Sequence, residues 1–234
     1  MNLKAILFDV DGTLADTEDA HRIAFNQTFA ENNLGWNWDV ALYGKLLKVT
    51  GGKERIKYFV ESFLTDFSKP ADYEGFVKNL HLRKTAHYIA ALRDGHIPLR
   101  PGIQKLILDA HKAGLKLAVA TTTSPENVAA LLEVGLGKDW NKYFDVLGCG
   151  DIVPLKKPAP DIYNWVLNEL KLAPQDCIAL EDSNNGLQSA LGAGIKTYIT
   201  TNPYTSKQDF TGAVAVFDDL SDLPRFYTLI GLRA

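Results

Sequence analysis

The sequence predicts an α/β fold, namely a doubly wound parallel-sheet core of Rossmann-like type with an all-helical domain inserted after its first strand. Short apolar runs without polar alternation are typical of parallel strands that are covered on both faces. Helical patterns separate most of these runs, which indicates strand–helix alternation. Residues 17–92 break this alternation because they contain helical patterns only.

The predicted strands cover residues 5–8, 117–120, 146–149, 178–180 and 197–199, with a weaker candidate at 214–217. The helices predicted between them cover residues 102–112, 125–132, 158–170 and 184–193. In an open α/β sheet, ligands bind beyond the carboxyl ends of the strands. Residues that follow these strands are therefore the first candidates for a functional site.

The inserted segment has four helical patterns, at residues 20–32, 40–48, 53–63 and 73–92. We expect the first of these helices to bury Ile23, Ala24 and Phe29. Glycines and prolines mark the two links at residues 12–16 and 94–101. The prediction is a core domain of residues 1–15 and 96–234 and a helical cap domain of residues 16–95.

Composition narrows the class of protein. The chain has 234 residues, 46% of them hydrophobic, a net charge of −3 and no long block of like charges. This argues against nucleic acid or an anionic membrane as a partner. No apolar run approaches the roughly 20 residues of a membrane span, and no secretory leader is evident. Cys149 and Cys177 lie in or beside apolar stretches, which favours buried free thiols. We expect a cytoplasmic monomer.

Two aspartates follow the first strand, in Asp9-Val10-Asp11-Gly12-Thr13. Being two residues apart, both can face one crevice, and Gly12 allows the backbone to turn close to a ligand. One carboxylate can attack phosphorus while the other moves protons to and from the leaving group and water. With a reference pKa of about 3.9, Asp9 is expected to be ionised at neutral pH. A solvated surface turn is the alternative for such a motif taken alone.

Two further strand ends and one helix start carry polar side chains. Glu181 and Asp182 follow the strand at 178–180, and converging carboxylates with open ligand positions suit Mg²⁺. Asp182 could also cap the next helix. Lys157, before a proline-started helix, could neutralise a carboxylate and phosphoryl oxygens. Thr121 and Thr122 precede a helix start, where hydroxyls and backbone N–H groups bind phosphate.

In this order, the motifs resemble the four-motif pattern of phosphatases in the haloacid dehalogenase superfamily. The stretches that match are Asp9 to Thr13, the strand-end Thr121, Lys157-Pro158-Ala159-Pro160-Asp161 and Glu181-Asp182-Ser183. The resemblance implies an aspartyl-phosphate on Asp9, with Asp11 as general acid and base. It implies that Thr121 and Lys157 stabilise phosphate. It also implies Mg²⁺ held by Asp9, the Asp11 carbonyl and Asp182, with Glu181 in support.

The helical insert resembles the C1-type cap of the β-phosphoglucomutase-like branch, and a cap would supply specificity. Glu18 could hold sugar hydroxyls, and His21 lies close to it in the sequence. The turn Thr50-Gly51-Gly52-Lys53 opens a helix and combines free N–H groups, the positive end of the dipole and an ammonium. Lys84 adds a positive charge. Solvated side chains are an equal alternative for each of these residues.

A second anion site suggests a substrate with two phosphates, and several stretches resemble CbbY-like phosphatases. These stretches are Phe8 to Glu18, Thr50 to Ile56, Pro98 to Gly102 and Ala120 to Asn127. The resemblance implies removal of the 1-phosphate of xylulose 1,5-bisphosphate, an inhibitor of Rubisco. A sugar phosphomutase of the β-phosphoglucomutase type would share the core residues and stays open. A phospho-receiver module also uses a phosphorylated aspartate, but a helical insert and this motif order are wrong for it.

Overall fold

The computed structural model describes residues 3–95 and 97–232, and the predicted α/β fold is confirmed. Within these residues, six parallel strands form one sheet in the order β3-β2-β1-β4-β5-β6. Each predicted strand is found, with its ends shifted by no more than one residue. The strands are β1 Ala5–Phe8, β2 Lys116–Ala120, β3 Val146–Gly148, β4 Cys177–Glu181, β5 Lys196–Thr200 and β6 Ala215–Phe217.

Nine α-helices lie in the same described ranges: α1 Glu18–Glu31, α2 Val40–Leu46, α3 Gly52–Phe63, α4 Tyr73–Arg93, α5 Ile103–Lys112, α6 Pro125–Leu136, α7 Asp161–Leu170, α8 Asn184–Gly192 and α9 Leu223–Ile230. Two short 3₁₀ helices cover Trp140–Tyr143 and Pro174–Asp176. None of the described helices is both long and apolar enough to cross a bilayer.

The central strand is β1, which pairs with β2 on one side and β4 on the other. All four of its side chains are fully buried, as are Leu117 to Ala120 in β2. Strands covered on both faces need apolar residues at every position, which explains why these runs lack alternation. Helix α7 contributes Ile162, Tyr163 and Val166 to the core against this sheet.

Three helix predictions are corrected by the structure. Helix α6 continues to Leu136, four residues beyond its predicted end at residue 132. Helix α7 begins at Asp161 and not at residue 158 as the sequence predicts, and Pro160 is the residue before its first turn. In α1, Ile23 is 46% exposed although it was expected in the core. The buried face of that helix carries His21, Ala24, Phe25, Thr28 and Phe29 at spacings of three and four. Ile23 lies off this face.

The N-cap residue of α8 is not the aspartate that the sequence suggests. Ser183, and not Asp182, is its N-cap, since the Ser183 hydroxyl accepts a hydrogen bond from the Gly186 N–H. Asp182 is thereby left to other contacts. Helix α9, which begins after the capping side chain of Asp222, was not predicted. Both cysteines are buried free thiols as expected, and burial raises the pKa of Cys149 to about 12.

The described chain divides into two compact units. The first runs to Asp16 and resumes at Ile97, and the second begins at Thr17. The sequence prediction had set these divisions after residues 15 and 95. The second unit contains α1 to α4 around an aromatic cluster, in which the ring of Trp38 lies 4.6 Å from Phe25, 4.9 Å from Phe29 and 5.3 Å from Phe59. Its role as a cap stays a prediction.

Within the first unit, the segments that lead to and from the division lie side by side. Ala15 and Leu99 form an antiparallel bridge, and the Arg100 N–H donates to the Leu14 carbonyl at 2.8 Å. The Gly12 N–H donates to the Ala15 carbonyl at 2.8 Å, closing the turn after β1. The turn after β1 and the segment in which the chain returns to this unit are therefore joined by hydrogen bonds.

Candidate active site

The predicted core residues meet at one edge of the sheet. Phe8 of β1 is in register with Val119 of β2 and with Leu180 of β4. Asp9 and Glu181 are the residues next to these register positions along β1 and β4. Because all three strands are parallel, the residues at and after their carboxyl ends share this edge. Thr121, directly after β2, lies at the same edge and is buried.

Lys157 joins two of these strand ends. It lies in the turn before α7, in a cis peptide bond with Pro158. Its Nζ donates to Asp9 Oδ1 at 2.7 Å and to Glu181 Oε1 at 2.5 Å. All three side chains are almost completely buried. Charge-assisted bonds in a dry environment are strong and directional, so this lysine fixes the two carboxylates relative to each other.

The carboxylates at this edge crowd one another. Burial raises the pKa of Asp9 to about 7, Lys157 lowers it in part, and Glu181 and Asp11 raise it further. The reference pKa of about 3.9, from which the sequence analysis expects Asp9 to be ionised, is therefore too low for this buried carboxyl. Burial alone would lower the pKa of Lys157, but its two carboxylate partners outweigh burial and raise it. Lys157 is thus held as a cation.

Glu181 is fixed by a second donor. The Tyr163 hydroxyl donates to Glu181 Oε1 at 2.6 Å, and Tyr163 is fully buried in α7. The other oxygen, Oε2, has no hydrogen-bond partner within the described residues. A buried carboxylate oxygen without a donor is costly, which makes it a candidate contact for a cation or a metal-bound group.

The buried acids fit a hard divalent cation. Asp9, Glu181 and Asp182 each offer a carboxylate oxygen, and these oxygens lie within 4.8 Å of one another. Lys157 is the cation bonded to Asp9 and Glu181, which leaves three clustered carboxylates incompletely compensated. Magnesium prefers oxygen ligands of this kind. The donor set and the lone Glu181 oxygen are what would be expected of a magnesium site.

Several residues at this edge were not found from the sequence. The Asn202 Nδ2 donates to Asp182 Oδ2 at 2.7 Å, and the Thr13 hydroxyl donates to Asp9 Oδ2 at 3.3 Å. Tyr163 and Arg100 were also missed as contacts of this region. Asn202 follows β5, so the strand-end rule that found the other residues could have found it. For Tyr163 and Arg100, spacing alone gave no signal.

The predicted phosphate loop after β2 forms a capped helix start. The Thr121 N–H donates to the Gly148 carbonyl at 2.9 Å, and the Thr121 Oγ1 accepts from the Thr123 N–H at 3.3 Å. The Ser124 hydroxyl caps α6 by accepting from the Asn127 N–H. Thr122 is half-buried. The loop presents hydroxyls beside a helix N-terminus, where phosphate oxygens are favoured.

The predicted substrate residues of the second unit fall into separate groups. His21 and Lys84 are both buried and in contact, with 2.5 Å between Lys84 Nζ and His21 Nδ1. Glu18 accepts a hydrogen bond from the Tyr43 hydroxyl at 3.0 Å, in a chain that continues to Arg55.

The predicted anion turn of this unit has the expected backbone. Gly51 is the N-cap of α3 with φ +99°, a conformation that favours glycine, and α3 begins at Gly52. Thr50 and Lys53 flank these glycines and are both half-buried. A Cβ on Gly52 would lie 2.7 Å from the His81 ring, so a side chain there would need this packing to move.

A doubly wound α/β core with clustered acids and a bridging lysine at the central strand ends is the arrangement expected of an enzyme. Residues 3–211 match the haloacid dehalogenase-like hydrolases, and the chain belongs to this family. The resemblance inferred from the motifs is therefore confirmed.

The comparisons also confirm the narrower similarity to CbbY proteins. The chain is 46% identical over 220 residues to the plasmid CbbY of Cupriavidus necator, covering 94% of this chain and 87% of that protein. It is 47% identical over 221 residues to CbbY of Cereibacter sphaeroides, covering 94% of each.

Solved structures give the same relationship. The crystal structure of CbbY from Rhodobacter sphaeroides in complex with phosphate matches with a TM-score of 0.88 at 46% identity, covering 94% of this chain and 96% of that chain. A mutant of that CbbY was solved in complex with xylulose 1,5-bisphosphate, with the same TM-score. A putative β-phosphoglucomutase from Thermotoga maritima matches at 0.68 and 27% identity, covering 97% and 99% of the two chains.

Proposed function

We propose that this hydrolase is a Mg²⁺-dependent phosphatase that removes the 1-phosphate of xylulose 1,5-bisphosphate through an aspartyl-phosphate on Asp9. The observation that carries the proposal is the buried Lys157, bonded to Asp9 at 2.7 Å and to Glu181 at 2.5 Å, beside Asp182. A fixed carboxylate with a neighbouring cation can approach a phosphate dianion that a carboxylate alone would repel.

In the proposed reaction, an Asp9 carboxylate oxygen forms a bond to phosphorus as the phosphorus–oxygen bond to the sugar breaks. Asp11 gives its proton to the departing sugar oxygen. Asp11 then takes a proton from water, whose oxygen attacks phosphorus and releases phosphate from Asp9. Lys157 offsets the charge on the phosphoryl oxygens, and the hydroxyl and N–H groups around Thr121 and Thr122 contact the same group.

Asp9, the main-chain carbonyl of Asp11 and Asp182 would hold Mg²⁺, with Glu181 in support. The ion would add positive charge beside the phosphoryl oxygens. Glu181 suits a supporting role because its Oε1 already accepts from Lys157 and Tyr163. The site residues Asp9 and Asp182 are both nearly fully buried, which strengthens each of these charge interactions.

The choice of substrate rests on what two similar proteins bind or act on. CbbY from Rhodobacter sphaeroides, 46% identical, was crystallised as a mutant with xylulose 1,5-bisphosphate. A phosphorylated carbohydrates phosphatase of Thermotoga maritima is 31% identical over 194 residues, covering 83% of each chain. Within the second unit, the proposed substrate residues are Glu18, His21, Thr50, Gly51, Gly52, Lys53 and Lys84.

A phosphatase assay across sugar mono- and bisphosphates with Mg²⁺ tests the proposal. We expect the highest kcat/KM with xylulose 1,5-bisphosphate and release of one phosphate per sugar. Asp9→Asn should abolish turnover and acyl-phosphate formation while the circular dichroism spectrum stays that of the wild type. Interconversion of glucose 1-phosphate and glucose 6-phosphate without net phosphate release would support a mutase instead. Near wild-type turnover by Asp9→Asn would remove the proposed mechanism.

A further inference from the structure

The loop after β5 contains a buried asparagine to which the sequence analysis gave no function. Asn202 is 7% exposed, and its Nδ2 donates to Asp182 Oδ2 at 2.7 Å. Asp182 is 4% exposed and lies in the acidic cluster with Asp9 and Glu181. An amide donor bonded to one carboxylate oxygen restricts rotation of that carboxylate, so Asn202 influences which way Asp182 presents its oxygens.

Asn202 is itself fixed by its own loop. Its Oδ1 accepts from the Tyr204 N–H at 2.9 Å, and its N–H donates to the Thr205 hydroxyl at 3.0 Å. The amide therefore cannot flip without losing the bond to Tyr204. Such Asx turns are common in loops, but here the opposite end of the same amide faces a carboxylate of the acidic cluster.

The nucleophile turn closes over this contact. Gly12 has φ +82°, and a Cβ built there would lie 2.3 Å from Asp182 Oδ2 and 2.7 Å from Asn202 Nδ2. The backbone after Asp11 therefore packs directly on the hydrogen bond between Asn202 and Asp182. Three segments meet at one point: the turn after β1, the end of β4 and the loop after β5.

Arg100 holds the same loop from the other side. This residue is 8% exposed, and its guanidinium donates to the carbonyls of Gly12 at 2.5 Å, Thr200 at 3.1 Å and Asp218 at 2.6 Å, and also to that of Thr201. One buried cation thus ties the turn after β1 to the backbone immediately before Asn202. The loop is fixed on both sides of the asparagine.

We propose that Asn202 is a positioning residue for Asp182, which sets this carboxylate for binding of Mg²⁺ and is kept in place by Arg100. This inference rests on the proposed function, since it assumes the magnesium site. Donors that orient a ligand from outside the coordination sphere change metal affinity by about 10–100-fold when they are removed. The bond from Asn202 to Asp182 is a donor of this kind.

Two substitutions separate the contact with Asp182 from the turn of the loop. Asn202→Ala removes both bonds of the side chain. Asn202→Ser keeps an oxygen that can accept from the Tyr204 N–H, but the shorter side chain cannot reach Asp182. Asn184→Ala is the matched control, because the Asn184 side chain also bonds a loop, through the Asp209 carbonyl at 2.6 Å.

The first measurement is the rise in melting temperature of the wild type and of each variant as MgCl₂ alone is added. The second is the Mg²⁺ concentration that each protein needs for half-maximal hydrolysis. A ligand that binds the native state raises stability with its concentration relative to its Kd. We expect Asn202→Ala and Asn202→Ser to need about 10–100-fold more Mg²⁺ for the same effect. Asn184→Ala should follow the wild type.

The outcomes distinguish this inference from the proposed function. A wild-type protein with no response to Mg²⁺ in either measurement would remove the magnesium site itself. If the wild type responds to Mg²⁺ and Asn202→Ser needs no more Mg²⁺ than the wild type for the same effect, only the positioning role is overturned. The same would follow if Asn184→Ala lost as much Mg²⁺ affinity as Asn202→Ser, since the effect would then belong to the loops in general.

Discussion

Replacing Lys157 by methionine should destabilise the metal-free protein strongly. The Lys157 side chain is 4% exposed and its partners Asp9 and Glu181 are 9% and 1% exposed, so methionine would leave two buried carboxylates without their cation. Removing one member of a buried ion pair costs about 3–5 kcal/mol. At about 2–4 °C for each kcal/mol in a chain of this size, the melting temperature should fall by roughly 6–20 °C.

The neighbouring lysine provides a matched control. Lys156 donates to Asp151 Oδ1 at 2.7 Å and also to the Gly150 carbonyl; its own side chain is 14% exposed, but that of Asp151 is 62% exposed. An ion pair that faces solvent contributes about 0–1 kcal/mol. Lys156→Met should therefore melt within a few degrees of the wild type. Both variants lose one positive charge, so the difference between their melting temperatures reports the effect of leaving buried carboxylates without a cation.

The cost of Lys157→Met should also depend on pH. Lys157 favours the ionised form of Asp9, whose pKa burial raises to about 7. That favourable interaction is present above this pKa and is lost as the pH falls through it. Without Lys157 the pKa of Asp9 rises further, so at pH 5 the carboxyl is protonated and its burial costs less. The difference in the free energy of unfolding between the wild type and Lys157→Met should therefore be smaller at pH 5 than at pH 8.

Urea unfolding in EDTA, followed by circular dichroism at both pH values, measures these differences. Equal losses of stability in Lys157→Met and Lys156→Met would refute the reasoning, as would a cost for Lys157→Met that is the same at pH 5 and pH 8.

Three further results are expected. EDTA should stop turnover and Mg²⁺ should restore it, whereas Ca²⁺ should inhibit because its looser coordination would misplace Asp9; full turnover in metal-free protein would contradict this. Lys53→Ala should lower kcat/KM for the sugar bisphosphate by about 10–1,000-fold, as for loss of one charge-assisted contact, and change hydrolysis of p-nitrophenyl phosphate little; an equal loss on both substrates would assign Lys53 to the fold. Tyr163→Phe should lower the free energy of unfolding by about 1.5–3 kcal/mol, because its hydroxyl donates to Glu181 at 2.6 Å; a loss below about 0.5 kcal/mol would mean that this bond contributes little.

The parts of the fold that follow from local pattern were predictable. Strand β1 was visible as an apolar run, and Asp9 and Glu181 were found because residues at the carboxyl ends of parallel strands share an edge. That rule brought together Asp9 and Glu181, whereas Lys157, which bonds Asp9 from 148 positions away, was found from its place before a proline-started helix. Ile23 was misplaced because an apolar residue can lie off the buried face of a helix.

Contacts made through the backbone were not predictable. Arg100 bonds to four carbonyls, and carbonyls carry no sequence signature, so nothing marked this arginine as buried. Tyr163 fitted the apolar pattern of α7 equally well as a core residue, and only the fold reveals that its hydroxyl reaches Glu181. Asn202 was not predicted, although it follows a strand end, because the residues directly after β5 are uncharged and match none of the motif sequences found at the ends of β1 and β4.

The central position of β1 has a consequence for how the chain is made. Of the six described strands β1 is synthesised first, but its two neighbours begin only at Lys116 and Cys177. Contacts between segments so far apart in sequence form slowly, since a long loop must close before they stabilise anything. The helical unit from Thr17 onward is built from nearer neighbours and can fold while the sheet is incomplete. Until β4 has been synthesised, the edge of β1 that pairs with it has no partner, so the strand that leads to Asp9 cannot take its final buried place.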